Sequence, residues 1–178
     1  MIEAPQGKLI IGILFSSSEE KEEVLPHLQI TFAASIQRYS PVFPFTQTDY
    51  YTPEMGDSLY RQFMSLTGAV SLEEAVSWKK KTIQLENQRR TDGRRQVNLD
   101  PGYVDLHKVV LLSQKQGAQK IYLQQGVWAD PVLLKNKGGY EKLRGTFPDL
   151  KTGQYDPFFL GVRRDLKMEF QSLTDLPE

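Results

Sequence analysis

Three stretches of the chain combine residue types that could take part in chemistry. The first, residues 43–51, is dense in aromatic side chains around one acid, Asp49. Tyrosine offers a rigid apolar ring with a hydroxyl at its tip, which suits the wall of a pocket, and Tyr51 is the candidate for that role. The segment is equally typical of a core turn in which Thr46, Thr48 and Asp49 satisfy nearby backbone groups.

The second stretch places two polar residues at the end of a predicted strand. Successive side chains of a strand point to opposite faces, so Asn98 and Asp100 share one face. Pro101 and Gly102 follow, and this pair fits the central positions of a type II turn. The pattern is typical of a binding site at a strand end, and also of a plain strand exit with turn-forming residues.

The third stretch is a predicted helix over residues 72–90 that carries a lysine on its apolar side. Lys79, Glu86 and Arg90 lie within about 40° of the centre of the apolar stripe, at 100° per residue. An unpaired lysine is costly to bury. The Lys79 amine is therefore expected either to reach water or to meet a carboxylate or a ligand phosphate. The stripe itself is formed by Leu72, Ala75, Val76 and Ile83.

Together these stretches predict a pocket for an anionic or phosphorylated small molecule of nucleotide type, with or without a reaction on it. Arg61 and Lys79 would hold the phosphate, and a tyrosine would stack on the ring. An acid would serve as general base or metal ligand. The candidates are Asp100 and Asp49 for catalysis, and Tyr51, Arg61, Lys79, Asn98 and Tyr103 for ligand binding.

Two other function classes fit parts of the same pattern. A non-catalytic protein-interaction module would use the aromatic residues in a partner groove. RNA binding would use the basic residues of segment 79–95, where seven lysines and arginines outnumber two acids. The same charges also suit the solvated face of a helix. Because 22 acidic residues balance 22 basic ones in the whole chain, nucleic acid ranks last among the partners.

Several chemistries are excluded by composition or by missing motifs. The chain has no cysteine and two histidines, which excludes thiolate chemistry and a three-histidine zinc site within one chain. It carries no phosphate-binding glycine loop and no H-E-x-x-H or G-x-S-x-G sequence. A cation site built from carboxylates such as Asp49 and Asp100 stays open, and no cofactor is indicated.

The elements that must position these residues predict an α+β fold. The order strand, helix, strand, strand, helix, strand over the first hundred residues matches a split βαβ, ferredoxin-like arrangement. An antiparallel meander and a last helix follow, although residues 108–113 also suit a helix. The predicted strands are 9–15, 36–45, 59–66, 97–100, 108–113, 120–124 and 128–134, and the predicted helices are 19–25, bent or ended by Pro26, 72–90 and one from residue 156.

The length of 178 residues favours a single domain over residues 1–178. The longest apolar run, residues 9–15, is too short to cross a membrane, and no leader-type cleavage site follows it. A soluble, cytoplasmic protein is therefore expected, and the absence of cysteine fits a reducing compartment.

Several short motifs are similar to those of a known family. From about residue 8 to residue 164, the chain resembles an uncharacterised prokaryotic family catalogued as domain of unknown function 4416. The resemblance implies one undivided domain and assigns no activity. The matching segments are 8–15, 43–45, 48–51, 54–56, 97–103, 108–112, 121–123 and 147–149.

Overall fold

The computed structural model describes residues 4–174 and builds them around one antiparallel sheet. Its strands are β1 (Gln6–Phe15), β2 (Ile36–Tyr39), β3 (Phe43–Pro44), β4 (Tyr60–Ser71), β5 (Val97–Val104), β6 (Lys108–Ser113), β7 (Ile121–Gln124), β8 (Val127–Lys135) and β9 (Tyr140–Lys142). Its helices are α1 (Ser18–Phe32), α2 (Thr52–Met55), α3 (Ala75–Gln88), α4 (Pro148–Lys151) and α5 (Asp156–Thr174), and a single 3-10 turn, Leu72–Glu74, precedes α3.

The sheet order confirms the ferredoxin-like prediction for the first half of the chain. The strands lie in the order β2-β4-β1-β5-β6-β8-β7, with β3 beside β4 and β9 beside β8. Helix α1 therefore links β1 to β2 across β4, and α3 links β4 to β5 across β1, which is the split βαβ arrangement. The second half extends the same sheet in antiparallel fashion, with β8 rather than β7 next to β6. Residues 108–113 form a strand.

Strand β1 is the centre of two cores because both of its faces are buried. Ile11 and Ile13 pack with α1 and α3 on one face of the sheet. Ile10 points to the other face, where α5 contributes Phe159 and Val162. The short apolar run thus forms a buried central strand, as its sequence predicts.

Helix α1 begins as predicted but continues further. Ser17 and Glu20 form the expected capping box. The helix then runs through Pro26 to Phe32, although the sequence predicted a bend or an end at the proline. A proline inside a helix costs a hydrogen bond and a steric adjustment. Burial of Val24 and Leu28 beside it offsets that cost.

Strand β5 also continues beyond its predicted end, because Pro101 and Gly102 lie inside it and do not form a turn. A Cβ atom at Gly102 would come within 2.2 Å of the Val110 carbonyl oxygen, so only glycine lets β6 approach. Pro101 has no N–H to pair, and the β5–β6 ladder begins one residue after it, at Gly102. The type II turn prediction was wrong because these residues serve close strand packing.

Candidate functional cleft

A cleft opens where β5 and β6 separate. The ladder between them covers only Gly102–Val104 and Val109–Leu111, although β5 begins at Val97 and β6 continues to Ser113. The gap holds a cavity of about 410 Å³. Its walls come from the loop after β3, the start of β4, α3, β5, the end of β6 and the loop before α4. A volume of this size suits a small molecule.

Helix α3 supplies the hydrogen bonds that β6 no longer provides to β5. The Leu99 N–H donates to Glu86 Oε1 at 2.5 Å, and the Leu99 carbonyl oxygen accepts from Lys79 Nζ at 3.4 Å. Burial raises the pKa of Glu86, although the Leu99 N–H and the Lys79 ammonium act against this. Glu86 and Lys79 therefore have a structural role near the apolar stripe of α3, because they hydrogen-bond backbone groups of β5 that have no partner in β6.

The Lys79 ammonium is buried with long contacts only. Its side chain is 9% exposed, and its nearest carboxylate oxygen, Asp100 Oδ1, lies 3.8 Å away. Within residues 4–174, the 3.4 Å contact with the Leu99 carbonyl is its one hydrogen bond. An ammonium has three N–H donors, so Lys79 retains donor capacity at the cavity wall.

Asp100 joins the polar groups of the cleft. Its Oδ2 accepts from Asn98 Nδ2 at 2.9 Å and from Arg61 at 3.5 Å, while Oδ1 lies beside Lys79. The Asp100 side chain is 26% exposed, whereas the other three lining acids are each less than a tenth exposed. Asp100 is therefore the lining carboxylate that a ligand reaches most directly.

Arg61 is buried and its charge is already compensated. Its guanidinium donates to Asp149 Oδ2 at 2.8 Å and faces Asp100 on the other side. Burial lowers the pKa of Arg61, but the two carboxylates outweigh that effect and hold the pKa above its ordinary value. The other Asp149 oxygen, Oδ1, is buried and has no hydrogen-bond donor among residues 4–174. Arg61 thus fixes the geometry of two acids.

Aromatic rings enclose the Arg61 side of the cleft. The Arg61 guanidinium carbon lies 5.7 Å from the ring centroids of both Phe45 and Phe147. Tyr51 makes an edge-on contact with Phe45 at 6.2 Å between centroids. Burial raises the pKa of Tyr51 well above its ordinary value, so its phenol stays protonated. These rings form an apolar wall beside a charged network.

The opposite wall carries two lysines from the connection between β6 and β7. Lys115 Nζ lies 3.4 Å from the ring centroid of Tyr50, and a side-chain hydrogen bond with Lys115, together with the lysine charge, lowers the pKa of the Tyr50 phenol. Lys120 donates to Ser113 Oγ at 3.1 Å and lies 3.6 Å from Asp130. No carboxylate of the described chain lies within ion-pair distance of Lys115. This wall therefore carries excess positive charge.

The structure brings together five of the seven predicted site residues. Tyr51, Arg61, Lys79, Asn98 and Asp100 all line the cavity. Sequence reasoning missed Asp149, Lys115, Lys120 and Asp130 in the lining, because no local pattern relates their loops and strands to β5. Phe147 and Asp149 belong to a motif of the family resemblance, and this was their only signal.

Two of the predicted site residues, Asp49 and Tyr103, do not line the cavity. Asp49 is exposed in the loop before α2 and is not part of the cavity wall. Tyr103 lies five residues after Asn98 on β5, so its side chain points to the other face of the sheet. There it packs in the core that α1 and α3 cover. Burial raises the pKa of Tyr103 to about 12.

The basic segment of α3 and the following loop is largely engaged in ion pairs. Arg89 pairs with Glu23 at 2.5 Å, and Arg95 pairs with Glu54 at 2.7 Å. Arg90 also reaches Glu54, at 3.4 Å. The predicted positive patch therefore presents less free charge than its composition indicates.

The described residues hold neither a membrane-spanning helix nor a cluster of metal-binding side chains. Helices within residues 4–174 are too short or too polar to cross a membrane. Within the same residues, no group of three or more histidine, aspartate or glutamate side chains is placed to hold a metal ion.

The chain belongs to the family described as domain of unknown function DUF4416, whose model matches residues 5–166. This match confirms the resemblance predicted from the short motifs. None of the curated proteins matches the chain.

Proposed function

We propose that the cleft between β5 and β6 binds an anionic small molecule of nucleotide type. The observation that carries this proposal is the state of Lys79, a buried ammonium at the wall of a 410 Å³ cavity with only long contacts to protein oxygens. Asp100 compensates its charge only at 3.8 Å, so a phosphate oxygen in the cavity would accept from the N–H donors that remain on the Lys79 ammonium. Completing these hydrogen bonds favours an anion at this wall.

The overall charge of the cavity wall supports the same ligand class. Five basic side chains and four acidic ones line it: Arg61, Lys79, Arg95, Lys115 and Lys120 against Glu86, Asp100, Asp130 and Asp149. The lining side chains thus carry one more positive than negative charge, while Glu54, outside the lining, also pairs with Arg95.

The aromatic wall supports a ligand with a flat ring. Phe45, Tyr51 and Phe147 surround one side of the cavity and offer apolar surface for stacking. In this arrangement Tyr51 contacts the ring and Lys79 the phosphate. Arg61 holds Asp100 and Asp149 in place and does not bind phosphate itself, because both carboxylates already compensate it.

Asp100 is the group we propose as general base if the ligand reacts. It is the most exposed acid of the wall, and Asn98 and Arg61 hold its Oδ2 while Oδ1 faces Lys79. A carboxylate fixed in this way can accept a proton from a ligand hydroxyl placed beside Oδ1.

Thermal-shift measurements with the common nucleosides and their 5′-monophosphates test the proposal. We expect a monophosphate to raise the melting temperature of the wild-type protein and the Lys79→Met substitution to weaken binding about tenfold or more. Lys80→Met is the matched control, because Lys80 is the next residue of α3 but is exposed and outside the cleft wall. Stabilisation that survives Lys79→Met removes Lys79 from the site, and no stabilisation by any of these ligands rejects the proposal.

The interaction-module alternative receives less support. A flat surface with both Tyr50 and Tyr51 exposed would have favoured it. Tyr50 is 57% exposed, but Tyr51 is partly buried at the wall of a polar cavity. RNA binding also receives less support, since Arg89, Arg90 and Arg95 are paired with acids.

A further inference from the structure

We propose that Lys115, on the connection from β6 to β7, is a second anion-binding residue that holds the terminal phosphate of the ligand at the mouth of the cleft. This inference rests on the proposed function, and it assigns a role to a residue whose local sequence carries no signal for binding.

The first argument is the distribution of charge between the two walls. On the β4, α3 and β5 side, each lining cation has a carboxylate within 4 Å: Arg61 has Asp149, Lys79 has Asp100, and Arg95 has Glu86. On the β6 side, Lys120 has Asp130, but no carboxylate of the described chain lies within that distance of Lys115. The uncompensated positive charge of the cleft is therefore on Lys115.

The second argument is the position of Lys115 relative to β5. Residue pairing between β5 and β6 ends at Gly102 and Leu111. Strand β6 continues beyond this pairing to Ser113, and Lys115 follows it in the connection to β7, on the β6 side of the gap. Lys115 and Lys79 thus belong to opposite walls of one cavity, and a ligand bound between the walls meets both.

The third argument is how the lysine is held. The Lys115 N–H donates to Ser113 Oγ at 3.0 Å, which anchors the backbone of the loop at the end of β6. Its ammonium rests on the ring of Tyr50, which belongs to the loop on the other side of the cleft. A cation over an aromatic ring keeps its charge available to an anion, because the ring does not neutralise it.

The test compares each nucleoside with its own 5′-monophosphate by isothermal titration calorimetry. The dissociation constant of the nucleoside divided by that of its monophosphate measures the contribution of the phosphate. We expect Lys115→Gln to lower this ratio about tenfold, because the monophosphate binds more weakly while the affinity for the nucleoside changes less than twofold. Lys137→Gln is the control, because Lys137 is an exposed lysine in another loop and does not line the cavity.

Each outcome separates this inference from the proposed function. If nucleotides bind and the ratio is unchanged in Lys115→Gln, the inference is wrong and the proposed function stands. An equal loss of nucleoside and nucleotide affinity would place Lys115 against the uncharged part of the ligand, and would also overturn the inference. If no nucleoside or nucleotide binds the wild-type protein, both fail.

Discussion

Glu86 and Lys79 illustrate how one pair of side chains on α3 serves both fold and cleft. They hydrogen-bond the N–H and the carbonyl oxygen of Leu99, which lie beyond the end of the β5–β6 ladder. The same two side chains line the cavity. A ligand that binds Lys79 therefore acts on a contact that also holds β5 against α3.

Glu86 provides a prediction of pH-dependent stability. Because burial raises the pKa of Glu86, the folded protein keeps a proton that the unfolded chain releases above pH 4.5. The free energy of unfolding that Glu86 contributes therefore falls as the pH rises through that window. We expect the stability of Glu86→Gln relative to wild type to increase from pH 4 to pH 8, as measured by urea denaturation.

Glu54 is the control with the opposite sign. Its hydrogen bond with Arg95 lowers the pKa of Glu54, so its contribution to stability is present at neutral pH and is lost as the pH falls. Glu54→Gln should therefore lose stability relative to wild type as the pH rises to 4.5 and just above it, with little further change towards pH 8. If the free energies of unfolding of wild type and Glu86→Gln changed in parallel with pH, the raised pKa of Glu86 would be contradicted.

At the scale of elements, the cleft exists because β5 and β6 are held together at one end and apart at the other. Gly102 allows the close approach at the paired end. Beyond it, α3 takes over the backbone bonds of β5, and the connection from β6 to β7 turns towards the Tyr50 loop. The cleft between β5 and β6 thus depends on the close contact of Gly102 with Val110, a few residues away.

Gly102→Ala tests this role. A Cβ atom at this position would meet the Val110 carbonyl oxygen at 2.2 Å and Leu111 Cα at 3.0 Å, so one strand must move. We expect a loss of about 1–3 kcal/mol in the free energy of unfolding by urea denaturation.

The matched control is Gly138→Ala. The nearest atom to its Cβ would be Asn136 Oδ1 at 3.9 Å, and we expect a change within about 0.5 kcal/mol. Equal effects at the two glycines would show that the β5–β6 contact does not need glycine.

At the scale of the molecule, the two halves of the chain share one sheet and both of its cores. Leu112 and Val127 of the second half pack in the core that α1 and α3 cover. Ile10 and Phe63 of the first half pack with α5 on the other face. A sheet joined in this way is expected to unfold as one unit.

The two tryptophans allow a direct measurement of this cooperativity. Trp78 lies in α3 and Trp128 in β8, so each half of the chain carries one. We expect urea transitions of Trp78→Phe and Trp128→Phe, followed by fluorescence of the remaining tryptophan, to coincide with the circular dichroism transition of the same variant. Different midpoints within either variant would indicate two separate domains.

Local sequence patterns determined the elements that have a strong period or a clear cap. The buried strand β1, the capping box of α1 and the split βαβ order were all predictable, because apolar spacing and capping act over a few residues. Alternation along β5 also placed Asn98 and Asp100 on one face and identified Lys79 as an unusual residue of α3. Three of the cleft residues, Asn98, Asp100 and Lys79, were predictable on these grounds.

Only the tertiary structure decided where β5 and β6 separate, and therefore what the cleft contains. Asp149, Lys115 and Lys120 reach it from segments distant in sequence, and Asp49 and Tyr103 are excluded from it. The physical reason is that strand pairing depends on contacts between distant residues, such as Gly102 against Val110. A sequence period describes which face a side chain takes, but the partner across a gap is set by the packing of the whole sheet.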